Sequence, residues 1–362
     1  MHTADCAIVR ALREPAGLVH ASAGEWDVII RQGRRADLLA RLYWTLEHTR
    51  VLNALPDAWR AHLVSAQVIA RKQASAVKWE VRKICQALAN IGTPLILLKG
   101  AAYCVSGLTA SQGRVFSDVD IMVPKACIDQ VEAALKLHGW VATQHDAYDQ
   151  RYYRTWMHEI PPLMHLKRQS VIDVHHAILP ETARLKPDPA DLLSAAQAIP
   201  GEPGLFTLAP ADMVLHSASH LFCGEFEHGL RDLSDIDLLL REFGLIDGFW
   251  EELVPRAQHL DLARPLYYAL RWAVQLFATP VPPSVLRELD KCTRPSAPLA
   301  TLMNALLQRA LAPDHASCRD ALSAPARGLL YARAHWLRMP AHLLAYHLAH
   351  KALFPPVRQR IK

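Results

Sequence analysis

A chain of 362 residues, 51% of them hydrophobic, can bury the core of two or three ordinary domains, which excludes wholesale disorder. Its formal charge of +5 and pI near 8.8 tolerate an anionic substrate but fall short of a nucleic-acid-binding coat. Seven cysteines without a CxxC pair exclude a disulfide framework, and neither a signal peptide nor an apolar run of ~18 residues is legible, so a cytoplasmic protein with no membrane partner is expected.

From about Glu25 to Asn90, apolar residues recur at three- and four-residue steps with Arg and Lys between them, which predicts helices. Gly92 and Pro94 are the stop signals of the last one. The period then changes. "PLILLKG" predicts a short buried strand turning into a helix, and "SDVDIMVP" a second strand closed by Pro124. "KACIDQVEAALKLHGW" is an amphipathic helix ending at Gly139. "WVATQHD", "RYYRTWMHE", "PLMHLKR" and "SVIDVHH" then predict strands. Beyond Pro180 helical patterns return, among them "APADMVLHSASHLFCGEF" and "HGLRDLSDIDLLLREFG". The expected division is a helical region over 1–92, a mixed α/β core over 93–180 and a helical region over 181–362.

Asp118 and Asp120 are two apart in a strand, so both side chains leave one face while Val119, Ile121 and Val123 enter the core. Two such carboxylates repel unless a cation holds them, and oxygen-only ligation suits Mg2+ or Mn2+. An isolated DxD is more often a solvated edge, but "SVIDVHH" carries a further acid, Asp173. If the two strands pair, three carboxylates form a cage. Lys99 and Gly100 end the first strand, where a glycine lets the backbone approach a ligand and the following helix offers free amides to phosphate. Arg114, four residues before Asp118, would add a cation for the same phosphates.

The stretch "LLKGAA…GRVFSDVDIMVP…VIDVH" resembles the DNA polymerase β-like nucleotidyltransferase superfamily, and more narrowly an uncharacterised bacterial nucleotidyltransferase family with a Lys-Gly turn. The resemblance implies an α+β fold, a mixed sheet with flanking helices. It also implies transfer of a nucleoside monophosphate from an NTP to a hydroxyl acceptor, a small molecule, protein or tRNA. Asp118, Asp120 and Asp173 would then hold two metal ions for in-line phosphoryl transfer. Ala101 stands where the wider superfamily usually has a turn serine, so phosphate binding would lean on Lys99, backbone amides and Ser117. That departure keeps a decayed binding module as an alternative, and a tailoring enzyme of a peptide natural product is another.

Other residues weigh less. "RDLSDID" holds a second Asp-x-Asp, but in a helical setting residues two apart do not face together. Arg231 and Asp235 are expected to pair one turn apart, with Asp232 or Asp235 a secondary approach to the substrate. His216 and His220, at i and i+4, have a zinc-compatible spacing but no evident third ligand, so packing is the expectation. His175 shares the parity of Asp173 and is expected to line the pocket, whereas His176 faces the core and His165 is a weaker candidate. The basic tail of Arg358, Arg360 and Lys362 carries no readable motif.

Overall fold

The run "PLILL" forms only a three-residue strand, β1 (Leu95–Leu97), but all three residues are buried, as its apolar composition requires. The computed structural model describes residues 3–143 and 146–346. Six further strands join it: β2 (Asp118–Met122), β3 (Trp140–Ala142), β4 (Leu163–His165), β5 (Val171–His175), β6 (Gln197–Ala198) and β7 (Leu205–Thr207). They make one mixed sheet in the order β3-β4-β5-β2-β1-β7-β6, with β2 in the middle. β2 runs parallel to β5 and β1 parallel to β7, while the other neighbours are antiparallel. The fold is α+β, as expected, although β6 and β7 come from residues past 180 and had no strand signal strong enough to read.

The helices begin where local chemistry favours them. Ser22 and Glu25 form a reciprocal capping box at the start of Ala23–Arg35, which satisfies two otherwise free amides. The 32-residue helix Asp57–Leu88 ends before Gly92, whose φ of +68° turns the chain into β1. Pro189 and Pro210 occupy first-turn positions of Pro189–Ser194 and Pro210–Cys223, where the missing N–H costs nothing. One continuous cluster of buried apolar side chains runs from Cys6 through the sheet to Leu330, so both helical regions share the core of the sheet.

One element departs from expectation. The expected strand "RYYRTWMHE" does not form: Arg151–Trp156 lies in the helix Ala147–Trp156, and only Glu159 makes an isolated bridge, to His175. Its aromatic residues favour strands in general, yet Tyr148, Tyr152 and Trp156 fall at four-residue steps and their rings contact in sequence at 6.4 and 5.9 Å. Arg154 then donates to both oxygens of Glu132 at 2.8 and 2.9 Å, tying this helix to Ile128–Leu137. The tail residues Arg358, Arg360 and Lys362 lie outside the described residues.

Candidate active site

The parallel register of β2 and β5 pairs Val119 with Ile172, Asp120 with Asp173 and Ile121 with Val174. The valines and isoleucines of this set are buried. Period-two alternation therefore sends Asp118, Asp120 and Asp173 to the opposite face, where one carboxylate oxygen from each lies within 4.8 Å of the others. Ser117 Oγ donates to Asp118 Oδ1 at 2.9 Å.

An ammonium and an imidazole converge on Asp120. Lys99 Nζ donates to its Oδ1 at 2.7 Å, and His175 Nε2 lies 3.0 Å from the same oxygen. Burial alone would raise the Asp120 pKa, but Lys99 and His175 outweigh it and hold the carboxyl well below its usual range. Lys99 reaches this position by adopting φ +46°, a left-handed conformation uncommon outside glycine and often found at functional sites. Asp173 has the opposite balance. Burial, then the negative charges of Asp120 and Glu159, push its carboxyl up to about 7. Its Oδ1 is buried with no hydrogen-bond partner. Three clustered carboxylates, one with an orphaned buried oxygen, are a donor set that fits a hard divalent cation.

Arg114 and Gly100 meet in a way the sequence did not disclose. A Cβ placed on Gly100 would come within 2.9 Å of Arg114 Cζ, nearer still to Nη1, and 3.0 Å from Phe116 Cδ1. The volume that a side chain at residue 100 would need is thus taken by a guanidinium, while Gly100 itself lines the cavity described below. Arg114 Nε donates to Asp235 Oδ2 at 2.8 Å, and Arg41 Nη2 donates to Asp235 Oδ1 at 2.8 Å. Arg41 also donates to the Ala110 carbonyl at 2.7 Å and to Ser234 Oγ at 3.2 Å. Burial lowers the Arg41 pKa, though Asp235 works against it. For Arg114 the same carboxylate, with Asp232, overcomes the burial cost and drives the pKa up. Asp235 therefore binds the helix Gly229–Phe243 to the N-terminal helices and to the loop before β2.

A cavity of about 490 Å³ opens over this group. Its wall includes Lys99, Gly100, Arg114, Ser117, Asp118, Asp120, Asp173 and His175 from the sheet side. His220, Arg231, Asp232 and Asp235 come from the helical side. His216 is buried and not on the wall, and burial keeps its pKa well below the ordinary value. His220 is open to the cavity; the charge of Lys99, then the surrounding walls, hold it down as well. Among the described residues neither histidine joins a cluster of three metal-ligand types. The expected Arg231–Asp235 pair does not form, because Arg231 takes the adjacent Asp232 at 2.9 Å while Asp235 is claimed by Arg41 and Arg114. His176 is buried, as expected. His165 lies off the cavity, edge-on to Trp140 at 5.0 Å and in contact with Arg168. His158, Glu159, Tyr103 and Arg338 also line the cavity, and no spacing in the sequence announced them.

A sequence profile of an uncharacterised nucleotidyltransferase family matches residues 22–278. No curated protein matches the chain. Among the described residues no helix is long and apolar enough to cross a membrane. The family match covers more than half of the chain, from the helices that supply Arg41 through the three aspartates to Asp235. The protein belongs to this uncharacterised nucleotidyltransferase family.

Proposed function

We propose that the protein transfers a nucleoside monophosphate from an NTP to a hydroxyl acceptor, with Asp118, Asp120 and Asp173 as ligands of Mg2+ or Mn2+. The observation that carries this reading is the register of Asp120 opposite Asp173, which gathers three carboxylates beside Lys99 at the cavity wall. Divalent cations bound there would neutralise the charge that develops on the phosphates.

The remaining work falls to side chains of the chain itself. Lys99 and Arg114 face the triphosphate, and Ser117 orients Asp118. Asp173 takes the proton of the acceptor hydroxyl as its oxygen attacks the α-phosphorus. The bond to the bridging oxygen breaks and pyrophosphate leaves. Arg114 is held ready by Asp235 and by the absence of a side chain at Gly100, so little reorganisation accompanies binding. The acceptor lies against the helical wall of Glu225, Glu227, Arg231 and Arg338, whose mixed charges suit a polar molecule.

Incubation with each labelled NTP, a panel of hydroxyl-bearing acceptors and Mg2+ tests the proposal. Expected is transfer of label with release of pyrophosphate, abolished in Asp118→Asn and Asp120→Asn. Failure of the wild type to release pyrophosphate from any NTP, or transfer undiminished in both variants, would overturn it.

A further inference from the structure

A second cluster of ligand-type side chains adjoins the aspartates and differs from them in chemistry. His158, Glu159 and His175 each offer one ligand atom, and these atoms lie within 4.8 Å of one another. His175 spends Nε2 on Asp120. Its other nitrogen, Nδ1, lies 3.2 Å from Glu159 Oε2 at ion-pair distance, yet it makes no aligned hydrogen bond although the residue is only 2% exposed. His158 Nδ1 is likewise buried without a partner, and the two imidazole rings stand 5.3 Å apart. Two buried imidazole nitrogens without a hydrogen bond, beside one carboxylate, are costly unless something satisfies them.

The backbone holds this group in place. Glu159 bridges to His175, the amide of Ile160 donates to the Val174 carbonyl at 3.1 Å, and the amide of His176 donates to the His158 carbonyl at 2.8 Å. The ligands thus sit on a segment laced to β5, not on a free loop.

We propose that His158, Glu159 and His175 bind a borderline divalent metal, Zn2+ or Co2+, at a site separate from the aspartate group. Two neutral imidazoles and one carboxylate suit such ions, whereas the all-oxygen aspartates suit Mg2+. The hydrogen bond from His175 to Asp120 is the carboxylate–histidine–metal arrangement that fixes the ring and its tautomer. All three residues line the cavity, so a metal held by them would be within reach of whatever fills it. The site does not rest on the nucleotidyl-transfer reading.

The test uses the full-length protein, stripped with chelator, titrated with Co2+ and Zn2+ in excess Mg2+, then desalted for metal analysis. Expected is one equivalent of Zn2+ retained, with Co2+ giving the visible absorption of a nitrogen-containing low-coordinate site. His158→Gln and Glu159→Gln should each abolish retention, with circular dichroism confirming that at least one is folded. Asp120→Asn should weaken binding about 10–100-fold through the loss of orientation at His175. Asp118→Asn should leave it unchanged. No retention by the wild type, or retention kept in both His158→Gln and Glu159→Gln, would overturn the proposal, and its simultaneous loss in Asp118→Asn would assign the metal to the aspartates instead. Absence of nucleotide transfer with Zn2+ still retained would count against the proposed activity alone.

Discussion

Arg114 lays its guanidinium over Gly100, in the volume that any side chain at residue 100 would need. The arginine cannot simply swing away, because Asp235 grips its Nε and the rings of Tyr103 and Phe116 flank it at 5.9 and 5.3 Å. Gly100→Ala is therefore expected to cost about 1–3 kcal/mol, as overpacking typically does. It should also raise the KM for nucleotide, since the displaced group is the one assigned to the phosphates. Urea unfolding and initial-rate kinetics on the same variant check both effects.

Asp173 gives the metal-free protein an unusual pH dependence. Its carboxyl titrates near 7 when folded against an ordinary value of 3.8, so between these limits the folded state holds a proton that the unfolded state has released. Stability must then fall as pH rises from about 4 to about 7, with the full cost present above 7. Asp173→Asn should flatten that slope, and Mg2+ should reverse it for the wild type. Thermal melts across this range, with and without Mg2+, read the outcome.

Lys99 acts on Asp120 in the opposite sense. The depressed Asp120 pKa contributes stability that is present above the ordinary carboxyl value and lost only as pH falls through the folded one. Lys99→Met removes the ammonium at 2.7 Å and lets that pKa rise. The acid limb of both stability and activity should move to higher pH, and stability at neutral pH should drop by about 3–5 kcal/mol for a broken buried pair. A pH–rate profile beside acid denaturation curves measures the shift.

Asp235 carries two buried guanidinium groups on one carboxylate. Asp235→Ala leaves both uncompensated and should destabilise the fold by about 3–5 kcal/mol or more. Asp235→Asn keeps an acceptor for one of them, so it should cost less while still loosening Arg114. The contrast between the two variants in chemical denaturation, and the KM of the asparagine variant, test the arrangement.

The helix Ala147–Trp156 shows where local reading fails. Tyrosines and a tryptophan within ten residues carry strand propensity, and propensity is set aside when aromatic pairs at four-residue steps and a bidentate Arg154–Glu132 contact favour the other backbone. β6 and β7 fail for a different reason: two and three residues are too few for any period to emerge. Arg41, His158 and Glu159 were silent because each gains its meaning from a residue on another element, Asp235 for the first and His175 for the other two.

By itself the sequence determined the carboxylate face. Alternation in "SDVDIMVP" and "VIDVHH" forces the acids away from the buried aliphatic residues, and that parity holds whatever the neighbours do. Only the tertiary structure decided which oxygen each nitrogen meets. Lys99 and His175 share Asp120 Oδ1, while Asp173 Oδ1 is left without a partner. Asp235 became an anchor for Arg114 and Arg41. The reason is that parity is a property of one strand, whereas charge pairing depends on distances across strands and helices that sequence spacing does not contain.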